Sequence, residues 1–277
     1  MTMSPVLDVV IQAPNGSPLQ AVLKLFDRRF GEDLRRVYKQ SACHTPAREA
    51  AFHAFIRQGK MAPFLREVDE AHETELIPPS PAGFLGEGTE GPAKYEAAQW
   101  RECREHFRCE TKAYAQLSDL QGELIPRMLA HVRLVSGGDF DVPPDLRETG
   151  APYFELNGIL LERIDGYKLE DMTSLLTTRP PKNLKEWQII IQAAANAAHV
   201  INERGILMQD ASPRNVMVDR RSQTPRIIDF AQCLFRDELV DQWHRWEWQE
   251  DEEWDPDVEY WERARQQEDP AAIALVH

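Results

Sequence analysis

Between Gly205 and Ala231 the chain sets three short segments, Ile206 to Met208, Asn215 to Asp219 and Arg226 to Phe230, that alternate with turns. No other feature constrains the fold as much. Short runs of this kind, bounded by turn residues, predict paired strands. The polar residues at their ends are Asp210, Asn215 and Asp229. The first two lie in Gln209-Asp210-Ala211-Ser212-Pro213-Arg214-Asn215, and the third in Ile227-Ile228-Asp229-Phe230-Ala231, fourteen residues after Asn215.

An acid, an amide five residues on and a second acid at a strand end can converge on one metal ion. Mg²⁺ takes hard oxygen ligands and keeps several waters, so one carboxylate and one amide oxygen suffice beside triphosphate oxygens. The other acid is then available to accept a proton from an attacking hydroxyl. The plain alternative is a pair of Asx turns that stabilise two loops.

Elsewhere, Val6 to Ile11 and Leu19 to Phe26 alternate like strands around the turn signal Pro14-Asn15-Gly16, which predicts a hairpin with Lys24 in its second strand. Residues 28–75 show no clear period. Ile77 to Lys94 is rich in Pro and Gly and is expected to be a mobile loop. Tyr95 to Leu120 has neither Pro nor a breaking Gly and predicts a helix. Short apolar runs follow at Met128 to Val135 and Tyr153 to Ile164, with a Pro/Gly/Asp-rich connection over 139–150. Asn183, with Glu186 three positions on, predicts the N-cap of a helix that ends near Arg204 at Gly205. Arg236 to His277 reads as acidic and helical. Its Trp243, Trp246, Trp248, Trp254 and Trp261 are expected to dock a helix; a cation–π grip on a substrate is the other reading. The class is α+β in two lobes, 1–164 with an insertion over about 28–94, and 165–277.

The formal charge of −14 disfavours a phosphate backbone or an anionic membrane face as partner. No stretch approaches the roughly 20 apolar residues of a membrane helix. Met1 to Gln12 lacks a basic start and a long apolar core. Cys43, Cys103, Cys109 and Cys233 fit no zinc spacing, so free thiols in a reducing compartment, cytoplasmic or nuclear, are expected.

With these residues in view, the chain resembles the protein-kinase-like superfamily. Divergent fungal protein-kinase-like proteins come first, through the Glu110 helix and Leu120-Gln121-Gly122…Ile125-Pro126. Small-molecule kinases of the aminoglycoside and choline type come second. The resemblance implies a bilobal fold with a β-rich N-lobe and a reduced helical C-lobe, and the cofactors ATP and Mg²⁺. It makes Asp210 the catalytic base, Asn215 a metal ligand and Asp229 the main metal ligand. Lys24 would bind the α and β phosphates, and Glu110 would be its helix partner. Ile159 to Ile164, with Glu162 and Ile164, would be the hinge for adenine. Arg214 would neutralise the transferred phosphoryl group or pair with an acid. The acceptor could be a protein or a small molecule, and a nucleotide-binding pseudokinase is the rival reading.

Three departures qualify the implication. Gly16 is the only glycine before Lys24, so no Gly-rich phosphate loop is visible; the glycines of residues 77–94 could substitute. Met208-Gln209 stands where His-Arg is usual, which predicts no switching by activation-loop phosphorylation. Fewer than 50 residues follow Asp229, so a peptide-docking platform is expected to be largely absent.

Overall fold

The computed structural model describes residues 4–13, 15–30, 35–37, 40–41, 43–75, 77–134, 143–146, 148, 150–173, 183–245 and 254–275. Part of the 139–150 connection, and Trp246 and Trp248 with Asp251 to Glu253, lie outside the described residues. The architecture is mixed α+β. The chain divides into two compact units, Met1–Phe107 with Ala130–Leu160, and Arg108–Leu129 with Leu161–His277. No helix among the described residues is long and apolar enough to cross a membrane.

The first unit opens on the expected hairpin, β1 (Val6–Gln12) and β2 (Pro18–Phe26), antiparallel with Val6 opposite Lys24. Its turn closes by Gly16 N–H to Ala13 O at 2.8 Å, and Gly16 takes φ +80°, which a side chain would resist. Two short strands, β3 (Arg36–Val37) and β4 (Gln40–Ser41), pair with each other. Helices α1 (Pro46–Arg57) and α2 (Met61–Thr74) fill the stretch that had no clear period. Thr45 caps α1 by accepting from Arg48 N–H, Pro46 suits the first turn, and Gly59 at φ +68° separates the two helices. Phe52, Phe55, Phe64 and Val68 from these helices form a core with Phe84, Ala97 and Leu146.

The expected mobile loop at 77–94 is corrected. Residues Pro81–Phe84 form a short helix, α3, and α4 (Gly91–Gln116) starts four residues before the predicted Tyr95. Phe84 is buried edge-on to Phe64, 5.1 Å between ring centres. Lys60 pairs with Glu90, and Lys94 with Glu87 at 2.6 Å. The glycines and prolines here encode helix starts and a close approach. A Cβ on Gly91 would stand 2.7 Å from the Phe84 carbonyl oxygen, and Pro92 fits a first helical turn. These residues are therefore helix and turn rather than a long open loop. The helix also ends earlier than predicted, at Gln116, because Ser118–Leu120 tighten into a 3₁₀ turn.

Strands β5 (Met128–Leu134) and β6 (Leu156–Glu162) complete a sheet ordered β1-β2-β6-β5, with the helical turn α5 (Ala151–Phe154) leading into β6. Gly158 lets β6 approach β2, since a Cβ there would meet the Lys24 carbonyl oxygen at 2.7 Å.

The second unit holds β7 (Gly166–Lys168), α6 (Leu184–Glu203), β8 (Ile206–Met208), β9 (Val216–Asp219), β10 (Pro225–Ile227) and β11 (Cys233–Phe235). Asn183 caps α6, accepting from Glu186 N–H at 3.0 Å, as its position predicted. Among the described residues α7 (Arg236–Arg245), α8 (Pro256–Gln267) and α9 (Asp269–Ala274) follow. Trp243 and Tyr260 pack with Leu207 and Leu239, and Trp254 and Trp261 flank them, so these rings of the tail dock helices.

A buried charge network ties β2 to the helices in the first unit. Glu96 on α4 is fully buried and accepts from Arg28 at 2.7 Å and from Arg35. Arg28 also bonds Glu49 on α1 and lies 3.9 Å from the Phe52 ring centre. Removing one partner of such a set costs about 3–5 kcal/mol, because a buried charge is left alone. His53 and His44 approach Glu49 at 3.1 and 3.5 Å. Burial pushes both histidines below their usual pKa, against the pull of Glu49. Burial also pushes the Glu49 carboxyl up, but Arg28 outweighs it and the net direction is down. All three groups bind fewer protons folded than unfolded, so stability is lost as pH falls, from about 6.5 for the histidines and about 4.3 for the carboxylate. Thermal melts from about pH 7.5 to 5 should show a falling midpoint, with a flatter slope for the double variant H44Q/H53Q. A midpoint indifferent to pH, or a slope unchanged by that variant, contradicts the assignment.

Candidate functional site

Short ladders in the second unit bring the polar residues of the 209–231 segment together. β8 pairs with β11 with Met208 opposite Cys233, and Gln209 N–H extends the ladder to Gln232 O at 2.9 Å. Asp210 is the next residue. β9 pairs with β10 with Val216 opposite Ile227, and Ile228 N–H extends that ladder to Asn215 O at 2.8 Å. Asp229 is the next residue there. Adjacent strands lie about 4.8 Å apart, so the backbone alone sets Asn215 beside Asp229.

The loop is braced from within. Asn215 Nδ2 donates to Asp210 O at 2.9 Å and to Asp210 Oδ2 at 3.2 Å. Arg214 pairs with Asp210 Oδ1. With its nitrogen committed to the loop, the Asn215 amide keeps Oδ1, which takes no hydrogen bond among the described residues. Asp229 adopts φ +71°, uncommon for a residue with a Cβ, and its Oδ1 accepts from Ala231 N–H at 3.2 Å. Phe230 behind it is fully buried, edge-on to Tyr114 at 5.5 Å.

Glu110, fully buried on the C-terminal part of α4, belongs to this neighbourhood. Burial, then Glu110, then Asp229 push the Tyr114 phenol well above its usual pKa. Burial first, then Cys109, Glu110 and Asp229 do the same to the Cys233 thiol. Glu110 lies one helical turn before Tyr114, whose ring packs on Phe230, the residue after Asp229. The Tyr114 hydroxyl is buried without a hydrogen-bond partner among the described residues, a condition that an ordered water or a ligand normally relieves.

Of the hinge candidates, Glu162 is the last residue of β6. Its N–H is committed to Arg127 O at 2.8 Å, and its carboxylate holds Arg127 N–H at 3.1 Å and Arg226 at 3.3 Å. The Glu162 side chain is thus a brace. Ile164, in the segment between β6 and β7, has a half-buried side chain and makes no backbone hydrogen bond among the described residues. Lys24 lies in the first unit, in β2, 5% exposed, with its ammonium 5.6 Å from the Phe26 ring centre.

Sequence reasoning missed the carboxylate that positions the loop. Asp269, at the start of α9 and 1% exposed, accepts from Met208 N–H and from Asn202 Nδ2, each at 2.8 Å. Asn202 Nδ2 also donates to Ile206 O at 2.9 Å, and Asn202 O accepts from the Tyr260 hydroxyl at 2.7 Å. The only signal was an acid before a proline, a common helix start.

The donor set fits a hard cation carried by phosphates. No three His, Cys, Asp or Glu side chains gather as a metal cage among the described residues. Asp229 and Asn215 present one carboxylate and one amide oxygen, too few for tight binding of a bare ion but sufficient beside phosphate oxygens. No protein-family model matches this chain, and no curated protein does.

The left-handed backbone at Asp229 costs a residue with a Cβ about 1–2 kcal/mol. Asp229→Gly should therefore leave stability within about 1 kcal/mol of the native chain, while Asp229→Val should lose more than about 2 kcal/mol. Urea unfolding measures both. Equal losses for the two variants contradict the backbone assignment.

Proposed function

We propose that the chain is an ATP·Mg-dependent phosphotransferase on a bilobal protein-kinase-like scaffold, acting on a hydroxyl of a protein or small molecule. The supporting observation is the convergence of Asp210, Asn215 and Asp229 at the ends of two strand ladders, with Asn215 Oδ1 left unspent.

In this reading Asp229 and Asn215 would hold Mg²⁺, which when bound supplies charge neutralisation at the phosphates. Asp210 accepts the proton of the attacking hydroxyl. Arg214, half-exposed beside it, neutralises the group in transfer. The reading gives Lys24 the α and β phosphates. Ile164 offers backbone groups to adenine. Most of the acceleration would come from positioning and electrostatics, as phosphoryl transfer requires little covalent chemistry of the protein.

A second reading has its own support. The two carboxylate oxygens of Asp210 are engaged, Oδ1 by Arg214 and Oδ2 by Asn215. A chain that kept this arrangement would bind nucleotide without transferring it, as a pseudokinase scaffold.

Turnover of γ-labelled ATP by the purified chain, followed by mass spectrometry of the acceptor, separates the two. The phosphotransferase reading expects Asp210→Asn to lower turnover at least about 100-fold and to leave ATP affinity within about twofold. It also expects ATP to raise the melting temperature only with Mg²⁺. Turnover that survives in D210N overturns the assignment of the base. ATP stabilisation without any turnover favours the scaffold.

A further inference from the structure

The first unit contains a cleft with a cavity volume of about 60 Å³, where the end of β2 meets α4, α5 and the start of β6. Its aromatic wall is Trp100 and Tyr153, edge-on with 5.1 Å between ring centres. Its carboxylates each have a cation. Asp27 holds Arg29 through two oxygens, at 2.9 and 2.7 Å, Glu49 holds Arg28, and Glu155 lies 3.5 Å from Arg133. Arg104 is different. Its guanidinium stacks 4.8 Å from the Trp100 ring centre and has no carboxylate partner among the described residues. The half-buried Asn157 side chain, also on the lining, likewise makes no hydrogen bond among the described residues.

We infer that this cleft binds a small organic carboxylate, with the anion on Arg104 and Asn157 and a short apolar tail against Trp100 and Tyr153. The lining carries three arginines and three acids, and each acid has an arginine partner, that of Glu155 lying off the lining. This leaves the Arg104 guanidinium without a paired carboxylate among the described residues, in a chain whose net charge is −14. Stacking on Trp100 fixes that charge in place, and a pre-set guanidinium fork matches a carboxylate bidentately. The volume admits about four to six water-sized positions, which suits an acid of five or so heavy atoms and is too small for a nucleotide. The site is independent of the phosphotransferase reading, because none of its residues belongs to that constellation.

The test is an NMR titration of the full chain, following the indole N–H of Trp100, assigned with W100F, while sodium propionate is added. Saturable shifts with a Kd of about 1 mM or tighter are expected, and sodium chloride should give none. Propionamide, the neutral isostere, should bind at least about tenfold more weakly, and so should propionate to Arg104→Gln. Arg104 is exposed, so R104Q should melt with the native chain. N-acetylalanine, which adds a peptide bond, should bind less tightly than propionate. A linear drift without saturation, equal binding of propionamide, or full affinity in R104Q overturns the site. Tighter binding of N-acetylalanine overturns the assignment to a free acid in favour of a peptide C-terminus.

Discussion

The hydrogen bond from Ile228 N–H to Asn215 O, 2.8 Å long, extends the β9–β10 ladder by one step past its last paired residues. That step determines whether Asn215 and Asp229 are neighbours or lie on separate loops. A side chain can swing, but a backbone ladder fixes position to within a fraction of its spacing of about 4.8 Å. The second ladder, β8 with β11, is anchored by Asp269, whose single carboxylate satisfies Met208 N–H and the Asn202 amide in a buried setting. The placement of Asp210 thus depends on an acid almost sixty residues further along the chain.

These ladders are short, three or four residues a strand, and would not stand alone in water. Their support comes from what is packed around them. Phe230 lies buried on Tyr114, and Leu207 lies among Leu239, Trp243 and Tyr260. The acidic, tryptophan-rich tail is in this sense part of the site's foundation. The strained backbone at Asp229 is held by the same surroundings.

Local chemistry made part of this legible. The Asn-Gly turn with alternating neighbours specified the β1–β2 hairpin, and Asn183 with Glu186 marked the start of α6, because both signals act over a few residues. Asp210, Asn215 and Asp229 stood out for the same reason. Residues 46–74 did not, since their helical faces are built from Phe52, Phe55, Phe64 and Val68 on two helices broken at Gly59, so neither period runs long. The stretch 77–94 misled because the same Gly and Pro that loosen a loop also permit a close approach, and only the burial of Phe84 tells the two apart. Asp269 was invisible because its partners are a backbone N–H and an amide far off in sequence.

Paramagnetic broadening by Mn²⁺ tests the central claim most directly, that Asn215 and Asp229 form one half of a cation site completed by nucleotide phosphates. With ATP and substoichiometric Mn²⁺, the backbone amide signals of residues 215, 229 and their neighbours should broaden selectively, and without ATP they should stay sharp. Broadening spread over the acidic surface, or the same with and without ATP, would contradict the account.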